Sequence, residues 1–195
     1  EYTFLIAAAI FLVAFKSGAI SPGAVGFDIN CRVRVLALDA TIDDIPNIKK
    51  LGGRLAGRIP AGASGKGGLE INMNQIKSLT EGGAQAAVDM GIGFDEDLPS
   101  LESNGLLEVD DVSLSSRALE RGLRALGTLG SGNHFLELQS VEKLVDEETS
   151  KQWGLYEGQL LAMIHSGSRG LGHQVCSEHS RKFEQKYRRT SNGWY

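Results

Sequence analysis

Short apolar runs and helix-spaced apolar stripes share this chain, and their order predicts a mixed α/β (α+β) fold with strands inside and helices outside. Residues 33–38 read as a strand with β-branched residues near its start. Residues 134–139 read as a second. A third, 159–164, is apolar in its last five residues, which predicts burial on both faces. Helical stripes lie between them. Ile45, Ile48, Leu51 and Leu55 recur at intervals of three and four, predicting an amphipathic helix over 41–58 with Pro46 in its first turn. Asn74 is the expected cap of a helix carrying Ile76 and Leu79; Gly82-Gly83 either breaks it or marks a close packing point, and 84–90 again reads as helical. Residues 115–123 predict a short helix whose Arg117, Arg121 and Arg124 form a solvated stripe. Residues 141–153 predict a helix with Leu144 and Val145 inward. Val175, His179, Phe183 and Tyr187 recur every four residues and mark a last helix over 171–188.

The connections carry less information. Residues 95–111 are acidic and read as a solvated surface loop, in which Asp110 and Asp111 are solvated rather than metal-binding. Residues 60–68 approach a phosphate loop but begin with Pro60 and have no Ser or Thr after Lys66. They read as a flexible glycine loop, with Lys66 a weakly supported phosphate contact. Residues 4–15 are an unbroken apolar run, shorter than the roughly 20 residues of a membrane span and not preceded by positive charge. A buried strand or short core helix is expected there.

Composition narrows the setting. A chain of 195 residues suffices for one domain, and a formal charge of -4 argues against a broadly basic nucleic-acid surface while leaving room for a local one. Two cysteines, not paired as C-x-x-C, make no disulfide framework and suggest a reducing, cytoplasmic setting, and no membrane partner is expected from the short apolar run.

Candidate chemistry gathers at glycine turns. Gly127, Gly130 and Gly132 precede Asn133 and His134, which opens a strand-like run. His165 ends another apolar run and begins Ser166-Gly167-Ser168-Arg169-Gly170. Upstream, Asp28 and Cys31 lie three apart, which on its own also fits a turn-capping acid and a small buried thiol. One thiolate, two imidazoles and a carboxylate suggest zinc or another first-row transition metal by ligand preference. A strand, a glycine turn and a helix start around Arg169 favour an anion. The residues alone stop at metal-assisted phosphoryl chemistry. An unrelated metallohydrolase stays open at this point.

The blocks at 21–31, 127–135 and 165–173 resemble, in order and approximate separation, the signature motifs of the RtcB family of tRNA-splicing RNA ligases, over about residues 17–183. The resemblance implies an RtcB-like fold with strands around a dinuclear metal site. It implies a GTP- and Mn²⁺-dependent ligase that joins RNA 3′-phosphate or 2′,3′-cyclic phosphate ends to 5′-hydroxyl ends, acting on tRNA halves or broken RNA. By motif, Asp28, Cys31 and His134 would hold one Mn²⁺ and Cys31 and His165 the second, the thiolate bridging. Asn133, His134, Phe135, Leu136 and Glu137 would contact the guanine nucleotide, and Arg169 a phosphate. Manganese replaces the zinc that ligand preference suggests. Two departures stand out: Arg32 follows the cysteine where the family has glycine, and Ala24 replaces a glycine. The family's guanylylated histidine and its remaining metal-binding histidine map beyond Tyr195. Residues 1–195 are therefore expected to form a single partial domain that cannot by itself be guanylylated. The alternative is a non-catalytic metal- or RNA-binding piece of such a ligase. An activating protein partner is not identified by sequence.

Overall fold

The computed structural model describes residues 26–63, 68–108 and 113–186. The expectations for residues 4–15, Ala24, Lys66, Asp110 and Asp111 lie outside them. Among the described residues the fold is mixed α+β, with strands β1 (Arg32–Thr41), β2 (Phe135–Ser140) and β3 (Gln159–Ser166) in one antiparallel sheet of order β1-β3-β2. The helices are α1 (Ile48–Arg58), α2 (Met73–Asp89), α3 (Ser116–Ala125), α4 (Glu147–Gln152) and α5 (Arg169–Lys186). No described helix is long and apolar enough to cross a membrane.

The apolar run predicted at 159–164 becomes the central strand, since only there are both edges paired. Leu160 and Ala162 are buried, and burial declines toward His165. The register decides where the chemistry falls. Arg32 pairs with Ser166 and Phe135 with His165, so the outer strands begin at the sheet edge where β3 ends. Residues just before β1 and β2, and the last residues of β3, are thereby brought to one corner.

Several boundaries differ from the periodicity. The helix expected over 41–58 begins only at Ile48, because β1 runs through Thr41 and a separate turn, Ile42–Asp44, intervenes. Asp44 ties that turn to the Thr41 backbone N–H at 2.7 Å, and Asn47 caps α1 by accepting from the Lys50 N–H at 2.9 Å. Pro46 lies ahead of the helix, having pushed Ile45 into extended backbone. In α2 the cap is Asn72, two residues earlier than expected, in a reciprocal box with Gln75. The break at Gly83 is real, with φ +59°. The expected loop over 95–111 contains two 3-10 turns, Asp95–Ser100 and Glu102–Gly105.

The helix expected over 141–153 shrinks to α4. Val141 continues the ladder, exchanging backbone hydrogen bonds with Gln159 and Gly158, and Asp146 caps the helix at Thr149. Val145 consequently faces solvent at 96% exposure rather than inward. The last helix starts two residues before Leu171, at Arg169.

The best-buried packing lies between α3 and α5. Ala118, Leu119 and Gly122 on one helix and Gly172, Gln174 and Cys176 on the other are buried. Ile76 of α2 closes this layer. That packing fixes the start of α5, and with it the turn that follows His165.

Candidate metal centre

Four side chains from three separate segments meet at the sheet corner. Cys31 precedes β1 by one residue, His134 precedes β2 by one, and His165 is the penultimate residue of β3. Asp28 reaches them through a tight turn in which the Cys31 N–H donates to the Asp28 carbonyl at 3.0 Å, with Asn30 at φ +60°. The Cys31 Sγ lies 3.2 Å from Nε2 of His134 and 3.2 Å from Nε2 of His165. The Asp28 Oδ2 lies 2.9 Å from His134 Nε2. One donor atom each from Asp28, Cys31 and His134 falls within 4.8 Å of the others, and His165 joins them through the thiol.

The carboxylate is anchored from behind. Asp28 Oδ1 accepts from the backbone N–H of Arg169 at 2.7 Å and from Ser168 Oγ at 3.2 Å, so it also satisfies the first turn of α5. Gly167 leaves room for it, since a Cβ there would sit 2.6 Å from Oδ2. Arg169 takes φ +54° at this turn, a strained conformation that the Asp28 contact helps to hold. Its Nη2 donates to the Gly62 carbonyl at 3.1 Å. A Cβ on Gly130 would lie 2.1 Å from His134 Nδ1 and 2.8 Å from Arg169 Cζ. Only a glycine lets imidazole and guanidinium close over the loop.

Electrostatics favour a cation at this corner. Burial first, and the Asp28 charge second, push the Cys31 thiol above its ordinary range. Burial holds the His134 imidazole below its ordinary value, against the opposing pull of Asp28. A divalent ion would reverse the first tendency and reinforce the second, since it binds the thiolate and the neutral ring. Two ligands on one tetrahedral ion sit about 3.5 Å apart, comparable with the separations here. The donor set therefore fits a first-row metal.

Strand alternation sorts the remaining expected residues. Phe135 and Glu137 share the sheet face of His165, to which they are cross-strand or diagonal neighbours, and the Phe135 ring lies edge-on to His165 at 5.4 Å. Leu136 points to the opposite face and lines an apolar groove against α1 with Leu138, Ile48 and Leu55. Its side chain is not brought to the cluster. Asn133 is exposed beside His134. Arg32, one residue after Cys31, projects to the face away from His165 and pairs with Glu102 in the open. It does not crowd the site. Reading residues alone passed over two groups that shape it: Ser168, inside a motif already singled out, and the Gly62 carbonyl.

Comparison with known proteins identifies relatives over most of the chain. The family model for the tRNA-splicing ligase RtcB matches residues 6–194. The tRNA-splicing ligase RtcB of Thermococcus kodakarensis is 45% identical over 181 residues, covering 92% of this chain and 38% of that protein. The namesake of Nanoarchaeum equitans is 45% identical over 170 residues, covering 86% and 36%. In Aeropyrum pernix the figures are 43% over 176 residues, with 89% and 37% covered. The chain thus spans little more than a third of the length of these relatives.

Proposed function

The chain belongs to the RtcB family of tRNA-splicing ligases, and from that premise we propose that it supplies the metal corner and a phosphate-binding turn of a GTP- and Mn²⁺-dependent RNA ligase. The reaction is the joining of an RNA 3′-phosphate or 2′,3′-cyclic phosphate end to a 5′-hydroxyl end. The observation that carries this reading is the Cys31 Sγ, placed 3.2 Å from both imidazole Nε2 atoms. A thiolate so placed can serve two cations at once. Asp28, Cys31 and His134 would hold one Mn²⁺, and Cys31 with His165 the other. Bound there, the cations would offset phosphate charge and polarise the phosphorus under attack.

The chain's own groups then have distinct tasks. Asp28 fixes the start of α5 with one oxygen and offers the other to the metal corner. Arg169 brings a guanidinium beside the corner, suited to a phosphate oxygen. Asn133, Phe135 and Glu137 lie on the corner's side for the guanine nucleotide, with Leu136 contributing main chain. The resemblance maps the guanylylated histidine to none of His134, His165, His173 or His179. These 195 residues alone are therefore expected to bind metal without forming a covalent GMP adduct.

Metal content by mass spectrometry after Mn²⁺ loading tests the reading. Wild type retains metal at the corner, and Cys31→Ala loses at least about ten-fold in affinity, as expected for a deleted ligand. Equal metal in both proteins removes Cys31 from the ligand set and sinks the proposal. Label from α-labelled GTP retained as covalent GMP on this chain after denaturation would overturn the missing-nucleophile part separately.

A further inference from the structure

The turn that delivers His134 is tied at both ends to the strand that carries His165. Its exit is fixed by the sheet, where Phe135 pairs with His165 across β2 and β3. Its entry is fixed by three hydrogen bonds. The Leu129 N–H donates to the Pro60 carbonyl at 2.8 Å, and the Gly62 N–H donates to the Gly130 carbonyl at 2.7 Å. The third comes from a side chain: Ser166, the last residue of β3, donates its Oγ to the Leu129 carbonyl at 2.8 Å. Of the three, only the hydroxyl can be removed without touching the main chain.

The turn needs such ties. Gly130 and Gly132, at φ +112° and +73°, leave the chain between Leu129 and His134 with few restraints of its own. Their lost freedom opposes any one shape, so the shape persists only where the ends are held. The corner meanwhile tolerates little movement. The Cys31 Sγ lies 3.2 Å from both Nε2 atoms, and the two rings stand at 67° with centroids 5.5 Å apart. The sulfur meets both imidazoles at that distance only while the His134 turn and the end of β3 keep their spacing. Ser166 spans that gap. Strand alternation turns its side chain to the face opposite His165, where it lines a hollow with Arg32, Arg34 and Ile164. Its hydroxyl therefore acts on the corner through the main chain of the turn.

We infer that Ser166 is a positioning residue of the metal corner. Its hydroxyl staples the His134 turn to the strand end that carries His165, and so sets the separation of the two imidazoles around the shared thiolate. The inference rests on the ligase reading for the identity of the cations, whereas the staple is a property of the metal-free chain. Asp28 is held by a different route, from Ser168 and the Arg169 N–H. Loss of the staple thus moves an imidazole and leaves the carboxylate in place.

The test compares wild type, Ser166→Ala and Ser166→Thr in the full chain, with Mn²⁺ as the metal probe. Ser166→Thr keeps the hydroxyl on a residue suited to a strand. In the metal-free chain, hydrogen exchange over residues 129–134 is expected to rise about five-fold in Ser166→Ala, with α3 and α5 unchanged. Mn²⁺ affinity is expected to fall about ten-fold in the same variant. Ser166→Thr is expected to restore both. In a His134→Ala background Ser166→Ala should cost no further affinity, because a positioning residue acts only through its partner. Additive losses in that background reduce Ser166 to a general stabilising role and overturn the proposal. Unchanged affinity in Ser166→Ala, in a chain that binds Mn²⁺, overturns it as well. A chain that takes up no Mn²⁺, yet whose exchange over 129–134 responds to Ser166→Ala, breaks the ligase reading and leaves the staple standing.

Discussion

The metal corner and the α3–α5 helix pair meet at Arg169 yet are built by opposite means. At the corner, polar atoms face one another at 2.9–3.2 Å across strand ends and turns, and burial works against their charged forms. Between the helices, small and apolar residues pack, and a polar relay runs along the contact. In it Arg121 donates to Gln174 at 2.9 Å, Gln174 to Glu178 at 2.8 Å, and Ser115 to Glu178 at 2.7 Å. The corner therefore needs close convergence of backbone turns. The helix pair needs close packing along one face and tolerates looser placement of its polar groups. The two should fail differently.

Gly130 is where both can be broken together, and its replacement is the largest expected effect. It carries φ +112°, and a Cβ would enter His134 Nδ1 and the Arg169 guanidinium at once. Gly130→Ala should cost about 3 kcal/mol from overpacking and backbone strain. For a chain of this size that corresponds to roughly a 10 °C drop in Tm. Calorimetry with metal analysis checks it. A variant that melts like wild type and keeps its metal would show that the two regions are not packed across this residue.

The pH dependence sharpens the contrast, because only the corner carries opposed shifts. His134 is held below the ordinary value of 6.5, so between that value and its own the folded chain binds fewer protons than the unfolded one. The stability present above pH 6.5 is lost as pH falls through this window. Cys31 is held above the ordinary value of 9.0, so the folded chain keeps a proton the unfolded chain has released, and stability falls as pH rises past 9.0. Asp28→Asn keeps an acceptor for the Arg169 N–H but removes the charge that raises the thiol. The pH profile of Cys31 alkylation in metal-free protein, resolved from Cys176 by mass spectrometry, should then move to lower pH. No movement, or movement upward, would mean that the carboxylate does not act on the sulfur.

How far each region was legible in the sequence follows from the same contrast. The corner was visible because glycine turns, a thiol and imidazoles at strand ends are scarce and local. Cys31, His134 and His165 could be singled out before any coordinates, and so could the strands that carry them. The relay was not. Arg117, Arg121 and Arg124 share helical spacing, and periodicity cannot tell a solvated stripe from one facing a neighbour's Gln174. That distinction depends on α5 packing against α3, a contact between residues 53 apart. The short α4 failed for a related reason. Val141 had a ladder partner in Gln159, and tertiary pairing overrode local helix preference.

The smallest effect expected is at the far end of the relay. Ser115 has two duties: its Oγ accepts from the Ala118 N–H at 3.1 Å as the cap of α3, and donates to Glu178 at 2.7 Å. Ser115→Ala should cost about 1 kcal/mol, the usual value for a lost cap. Ser115→Asp keeps a capping oxygen but sets a second carboxylate against Glu178. It should restore α3 while loosening the relay, so protection of the Ala118 amide and global stability part company. Denaturant melts and hydrogen exchange on the two variants separate these duties. If Ser115→Asp restores both measures, Ser115 serves the helix alone and the relay begins at Glu178.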